Sequence, residues 1–240
     1  MKIALIGYGK MGHVIEQIAK DRGHEVVLIL DALINPQDFT KENLQKAEIA
    51  IEFTRPDAAY RNYITCFEAG IPVVSGTTGW LEKMPEIKSL CHEGGSKFFY
   101  SSNFSIGVNI FMHVSNFLAK FMNNYTNYDV NMQEIHHIHK LDKPSGTAIS
   151  IAEGIINNID RKNKWTLDSN SAQDEIFIDS VREGEVPGTH TVNYTSQVDD
   201  ITITHTAHNR IGLALGAVVA AEFLVKQPAG FYTMDDLMKL

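Results

Sequence analysis

Lys2-Ile3-Ala4-Leu5-Ile6-Gly7-Tyr8-Gly9-Lys10-Met11-Gly12 decides how this chain folds. Its opening residues form a short apolar run of the kind a buried strand makes, stopped at once by glycine. A helical pattern follows to about residue 22, and a second apolar run at 25–30 ends in Asp31, 19 positions after Gly12. Strand, Gly-x-Gly-x-x-Gly, helix, strand and acid together imply a dinucleotide-binding unit. The glycines serve a tight turn, close approach of a pyrophosphate and close helix–strand packing, and the acid accepts hydrogen bonds from the adenosine ribose. Lys10 reads as a phosphate contact or as a solvated lysine at a helix start. Ala32 stands after the acid, where an arginine would greet a 2′-phosphate, so NADH is favoured over NADPH.

Further along, residues 48–53, 71–74 and 97–100 read as strands, with a helix from 54 to about 69 between the first two. Alternating strands and helices imply a parallel sheet, and ligands of such sheets bind beyond the carboxyl ends of the strands. Besides residues 7–12 and Asp31, those ends carry Phe53, Thr54, Gly76, Thr77 and Thr78, then Ser101, Ser102, Asn103 and Phe104. A long amphipathic helix runs from 105 to about 122, and the polar residues 123–127 form a linker. From there the style changes. Strands at 129–135, 175–181, 190–196 and 201–207 surround one helix at 145–158, which implies a second, α+β unit with a mixed or antiparallel sheet. Residues 209–226 return to helix.

Glu134-Ile135-His136-His137-Ile138-His139-Lys140-Leu141-Asp142-Lys143-Pro144-Ser145-Gly146-Thr147 is the stretch richest in chemistry. Imidazole exchanges protons near neutral pH, lysine offers a point charge to carboxylates, and free N–H groups at a helix start bind anions. Together they describe a site that holds a small polyanion and delivers a proton to it. Ser145, Gly146 and Thr147 are expected to present N–H groups and two hydroxyls to a carboxylate that Lys140 neutralises. Neighbours in a strand point to opposite faces, so His136 and His137 share a site only if the strand ends there. His-His-x-His on a loop lacks the usual zinc spacing, and no metal is expected. His113, His190, His205 and His208 have no such company and read as structural or interfacial.

The 240 residues carry a net charge of −8, which disfavours a nucleic-acid partner. Cys66 and Cys91 are the only cysteines and have no metal-type spacing, which suits a reducing cytoplasm. The N-terminus does not read as a signal peptide, and no apolar run approaches the roughly 20 residues of a membrane span.

The run from His136 to Ala148 resembles the catalytic signature of the dihydrodipicolinate reductase (4-hydroxy-tetrahydrodipicolinate reductase) family. Ile51-Glu52-Phe53-Thr54-Arg55-Pro56, Gly76-Thr77-Thr78-Gly79, Asn103-Phe104-Ser105-Ile106-Gly107-Val108-Asn109, Ser180-Val181-Arg182 and Pro187-Gly188-Thr189-His190 extend the resemblance over nearly the whole chain. It implies a dinucleotide-binding domain over 1–104 completed by 209–240, and an inserted substrate-binding and oligomerisation domain over 105–208 forming a homotetramer. The implied activity is NAD(P)H-dependent reduction of 4-hydroxy-tetrahydrodipicolinate, a small dicarboxylate, in lysine and diaminopimelate biosynthesis. By resemblance His136 is the acid/base, Lys140 the proton donor or carboxylate partner and His137 a substrate contact. Gly146 and Thr147 grip a carboxylate, and Thr78 reaches the substrate from the cofactor side. The implied cofactor contacts are residues 7–12, Asp31, 76–78 and 101–104. Three departures stand out: the loop Gly-Tyr-Gly-Lys-Met-Gly is shorter than in many members and has Lys10 where they have arginine, Asp31-Ala32 replaces an acid–arginine pair, and the 31–48 segment is short. Other readings are another NAD(P)-dependent reductase on the same plan, such as an aspartate or semialdehyde dehydrogenase, and a nucleotide sensor that has lost catalysis.

Overall fold

In a computed structural model, which describes residues 1–31, 35–209 and 211–239, the chain divides into two compact units. One comprises Met1–Ser105 and Ile211–Leu240, the other Ile106–Arg210.

The first unit is built on β1 (Lys2–Ile6), α1 (Lys10–Asp21), β2 (Glu25–Leu30), a short α2 (Lys41–Leu44), β3 (Ile49–Glu52), α3 (Pro56–Glu68), β4 (Val73–Ser75), α4 (Met84–His92) and β5 (Lys97–Tyr100). All its strands pair in parallel, in the order β2, β1, β3, β4, β5 and a late edge strand. Every residue of β3 and β4 is buried, because helices cover both faces of such a sheet. Tyr63, Trp80 and Phe98 pack edge to face with ring centroids 4.9–5.7 Å apart. Such pairs add about 0.5–1.5 kcal/mol each beyond burial. The fourth strand begins two residues later than the sequence reading placed it, and α4 was not anticipated.

In the second unit the elements are α5 (Ile106–Met122), β6 (Asp129–His136), α6 (Gly146–Ile156), β7 (Lys164–Thr166), β8 (Glu175–Arg182), β9 (Gly188–Thr195) and β10 (Asp200–Ala207). The sheet runs β10-β9-β6-β8-β7. It is mixed: β6 pairs antiparallel with β9 but parallel with β8. A parallel neighbour requires a crossover, which α6 supplies. Val130, Met132, Glu134 and His136 alternate on the buried face of β6. Ile176 and Ile178 of β8 and Val192 and Tyr194 of β9 join them over Ile151 and Ile155 of α6.

The chain then returns to the first unit as α7 (Ile211–Leu224), β11 (Gly230–Tyr232) and α8 (Met234–Met238). Alanine and glycine leave α7 buried almost all round against α1, β3, β4 and β5. A side chain at Gly216 would collide with the Phe104 carbonyl, so helix and strand-end loop pack at backbone distance. The three-residue β7 and β11 are too short to carry a readable period, and the sequence reading missed both. Cys66 and Cys91 are buried and free, and burial pushes both thiols up.

Candidate functional site

In the first unit, the carboxyl ends of the strands open onto a cavity of about 650 Å³ lined by Gly7, Tyr8, Gly9, Asp31, Phe53 and Thr54, among others. Gly7 sits at φ +91°, where a side chain would strike the Phe53 carbonyl, so only glycine makes this turn. Gly12 packs on the Gly7 carbonyl, while the space beside Gly9 is open. Gly9 is the N-cap of α1 and leaves the helix start without a side-chain cap, so its N–H groups suit an anion. Lys10 and Met11 stand in that first turn, with Lys10 exposed. The Tyr8 N–H donates to Asp31 Oδ2 at 3.1 Å, fixing the acid beside the loop. These residues fit the adenosine and pyrophosphate of a dinucleotide. Arg55 and Arg61 also reach the cavity. Ala32, on which the cofactor preference partly turned, lies outside the described residues.

The remaining cofactor-contact candidates divide. Gly76 packs under the Phe53 ring, leaving no room for a side chain, and Thr78 is exposed. Thr77 was expected to touch the cofactor, but its side chain is turned inward. Its hydroxyl donates to Glu52 at 2.9–3.0 Å and accepts the Thr54 N–H at 2.8 Å. Phe104 is likewise a packing residue, its ring 5.8 Å from that of Phe99 and buried. Ser101 and Asn103 hydrogen-bond each other across a turn, with Ser102 exposed beside them. Glu52, given no role from the sequence, is fully buried at the end of β3 and accepts from the hydroxyls of Thr54, Ser75 and Thr77. It ties the ends of β3 and β4 together.

The second unit holds the histidine-rich stretch. Period two puts Glu134 and His136 on one face of β6, and the register sets Ser180 and His190 beside Glu134 and Arg182 beside His136. Since β6 ends at His136, His137 is released from the strand's alternation. Glu134 Oε1 accepts the Ser145 N–H at 3.0 Å, the Ser180 hydroxyl and both terminal nitrogens of Arg182 at 3.1–3.2 Å. Glu134 Oε2 lies 3.0 Å from His136 Nδ1, off the straight hydrogen-bond line, and 3.9 Å from His190 Nε2. Burial alone would push the Glu134 carboxyl up. The close approach of His136 and the hydrogen bonds from Ser145 and Ser180 outweigh it and hold the group well below the usual range. Burial, with the neighbouring His136 next in weight, pushes His190 down to about 4, so it is neutral at pH 7.

His190 was read as a residue without company, which the register corrects. The signal was Glu-x-His, whose spacing puts an acid beneath an imidazole on a strand, but the partner from β9 becomes visible only once the strands are paired. Ser145 also departs from expectation. It is 2% exposed, its N–H bonds Glu134, and its hydroxyl caps α6 by accepting the Ala148 N–H at 3.1 Å. Gly146 is exposed and Thr147 half-buried at the helix start. Lys140, half-buried, pairs with Asp142 at 2.8 Å and holds that carboxyl low. Arg182 steadies this loop through the carbonyls of Lys140 and Asp142. His139 is exposed against Glu185.

Glu134, His136 and His190 each bring one ligand atom within 4.8 Å of the others, a donor set a divalent cation could use. Arg182 already supplies the counter-charge to that carboxylate, and a dication would add two charges to a buried cluster. This weighs against a metal.

Two family models together span almost the whole chain: dihydrodipicolinate reductase, N-terminus, over residues 1–104, and dihydrodipicolinate reductase, C-terminus, over 107–238. A 4-hydroxy-tetrahydrodipicolinate reductase from Christiangramia forsetii is 49% identical over 238 residues, covering 99% of this chain and 98% of its own length. One from Thermosipho africanus is 34% identical over 244 residues, covering 100% and 98%. Among solved structures, the fold resembles a dipicolinate-bound dihydrodipicolinate reductase from Paenisporosarcina sp. TG-14, with a TM-score of 0.80, 22% identity and 97% of each chain covered.

Proposed function

The chain belongs to the dihydrodipicolinate reductase family of oxidoreductases, and from that membership we propose that it reduces 4-hydroxy-tetrahydrodipicolinate to tetrahydrodipicolinate in lysine and diaminopimelate biosynthesis. The reaction consumes NAD(P)H and a proton and releases NAD(P)⁺ and water. The observation that carries this reading is the full-length match to a reductase at 49% identity. The His-His-x-His-Lys…Pro-Ser-Gly-Thr run supports it from the sequence.

A nicotinamide dinucleotide held by residues 7–12 and Asp31 would supply the hydride. His136 supplies the proton, and a positioned acid contributes about 10²–10⁴-fold. Lys140 exchanges Asp142 for a substrate carboxylate, so the loop keeps its ion pair whether occupied or empty. Gly146 and Thr147, at the uncrowded start of α6, receive the other carboxylate, with His137 and Thr78 as further substrate contacts. Asp31 beside the adenosine ribose disfavours a 2′-phosphate and so favours NADH. The oligomer is a homotetramer built through residues 105–208. An exposed apolar stripe on α5, Ile110, Val114, Phe117 and Phe121, supports association. Buried free thiols are in keeping with a cytoplasmic location.

The test is loss of NADH absorbance with freshly generated 4-hydroxy-tetrahydrodipicolinate as sole substrate. Turnover is expected, and His136→Ala and Lys140→Ala should each lower kcat at least about 10²-fold with NADH affinity kept. Unchanged turnover in both variants removes the assignment of these residues. Absence of turnover in the wild type, or turnover of an aldehyde instead, removes the activity.

A further inference from the structure

Strand chemistry divides the Glu134 carboxylate into two halves. Oε1 belongs to the scaffold, taken by the Ser145 N–H, the Ser180 hydroxyl and Arg182. Oε2 receives none of these. It faces His136 Nδ1 at 3.0 Å, off the straight hydrogen-bond line, and neither atom has a hydrogen-bond partner elsewhere among the described residues, so a small turn of the ring closes the bond between them. The other ring nitrogen, His136 Nε2, points toward Gly188: a Cβ there would stand 3.1 Å away. Gly188 therefore leaves the far edge of the imidazole uncovered by any side chain of its own. Both sides of the arrangement are rigid, since Glu134 is fully buried, the His136 side chain is 9% exposed, and both lie on the central strand.

We propose that Glu134 is a positioning residue for His136. It fixes the ring with Nδ1–H on Oε2 and Nε2 free to deliver a proton, and it holds a standing negative charge against the imidazolium. The inference rests on the reading of His136 as the proton source. An imidazole can donate from either nitrogen, so an acid locked onto one of them chooses the tautomer and aims the other. The remaining groups around the ring do not compete for this role. Arg182 from β8 is engaged by Glu134 Oε1 and by loop carbonyls. His190 from β9, its ring centroid 5.1 Å away, is held neutral by burial. His205 from β10, next to His190, is also pushed down by burial. Lys140 on the adjoining loop pairs with Asp142.

Two measurements test it. First, ¹⁵N spectra of the wild-type ring should show Nδ1 carrying a proton throughout the neutral range. A neutral ring protonated on Nε2 with a bare Nδ1 overturns the proposal, and this needs no variant to fold. Second, Glu134→Gln keeps the shape and the acceptor for Arg182 but removes the charge. It should lower kcat about 10²-fold while changing KM for the dicarboxylate much less. Its amide nitrogen would face Nδ1, so the ring should turn to the Nε2–H tautomer in ¹⁵N spectra. Glu134→Asp should restore part of kcat and the Nδ1–H signature. A folded Glu134→Gln enzyme with reduced kcat but unchanged ring nitrogens makes Glu134 merely structural, and the proposal falls. Full turnover in His136→Ala sinks the reading beneath it. An inactive His136→Ala beside a fully active Glu134→Gln sinks only the role of Glu134.

Discussion

Replacing Arg182 with methionine strands a buried anion, and the size of the loss can be worked from the contacts. The Arg182 side chain is 14% exposed and that of Glu134 fully buried. Both terminal guanidinium nitrogens donate to one carboxylate oxygen, and the same group also donates to the carbonyls of Lys140, Val181 and Asp142. Methionine keeps much of the aliphatic stem, so packing changes little. What is lost is the counter-charge. Breaking a buried pair from one side costs about 3–5 kcal/mol, because the remaining charge has nowhere to be solvated. The Ser145 and Ser180 donors stay on Glu134 and keep the cost toward the lower end. Against a total stability of about 5–15 kcal/mol, roughly a fifth or more would disappear. Urea unfolding at neutral pH, with equal slopes for both proteins, reads it directly. The double variant Glu134→Gln/Arg182→Met should recover part of the loss, with a coupling of about 0.5–3 kcal/mol. A single variant within about 1 kcal/mol of wild type would refute the reasoning. So would a double variant no more stable than Arg182→Met, since the cost would then lie in the loop carbonyls rather than in the charge.

Two further outcomes follow from named contacts. Gly188, at φ +156°, should tolerate alanine poorly: about 1–3 kcal/mol of stability is expected to go, together with a fall in kcat as the new methyl presses on His136 Nε2. Thermal unfolding and steady-state kinetics check both, and unaltered kcat in a folded variant would mean that this edge of the ring is not the one used. Glu222 is held down to about 2, first by Arg22 and then by His24, from an ordinary 4.5. A depressed folded value means its contribution is complete above the ordinary value and disappears as the pH falls from there toward about 2. Glu222→Gln should therefore be about 1 kcal/mol less stable at neutral pH, after allowance for solvent screening, and converge with wild type in acid; a gap that persists at low pH would contradict this.

The glycine loop and its flanking strands could be read from the sequence because their signals are local. Ile3–Ile6 and Val26–Leu30 are unbroken apolar runs, and Gly7 is demanded by a backbone angle and by the Phe53 carbonyl. The histidine stretch was conspicuous for the same reason: its residues are neighbours in the chain. What stayed hidden depends on pairing. His190 reaches Glu134 only through the β6–β9 register, and Ser180 only through β6–β8. The inward partners of Ser145 and Thr77 stayed hidden because a hydroxyl near a ligand site looks the same in sequence whether it faces out or in. A helix N-terminus and a buried carboxylate, respectively, had prior demands on them. Phe104 was drawn into the core by the close approach of α7, which follows from Gly216 more than a hundred residues later.

Glu134 and His136, Ser180 and Arg182, and Gly188 and His190 are three pairs, each two residues apart, on three adjacent strands. A slip of one residue in any of those strands would turn its whole pair to the opposite face of the sheet. A mispaired sheet therefore cannot gather the Glu134, His136 and His190 side chains, and the cluster forms in the same event that aligns the hydrophobic side chains of β6, β8 and β9. Any pressure to keep the cluster is then also pressure to keep the alignment of this sheet.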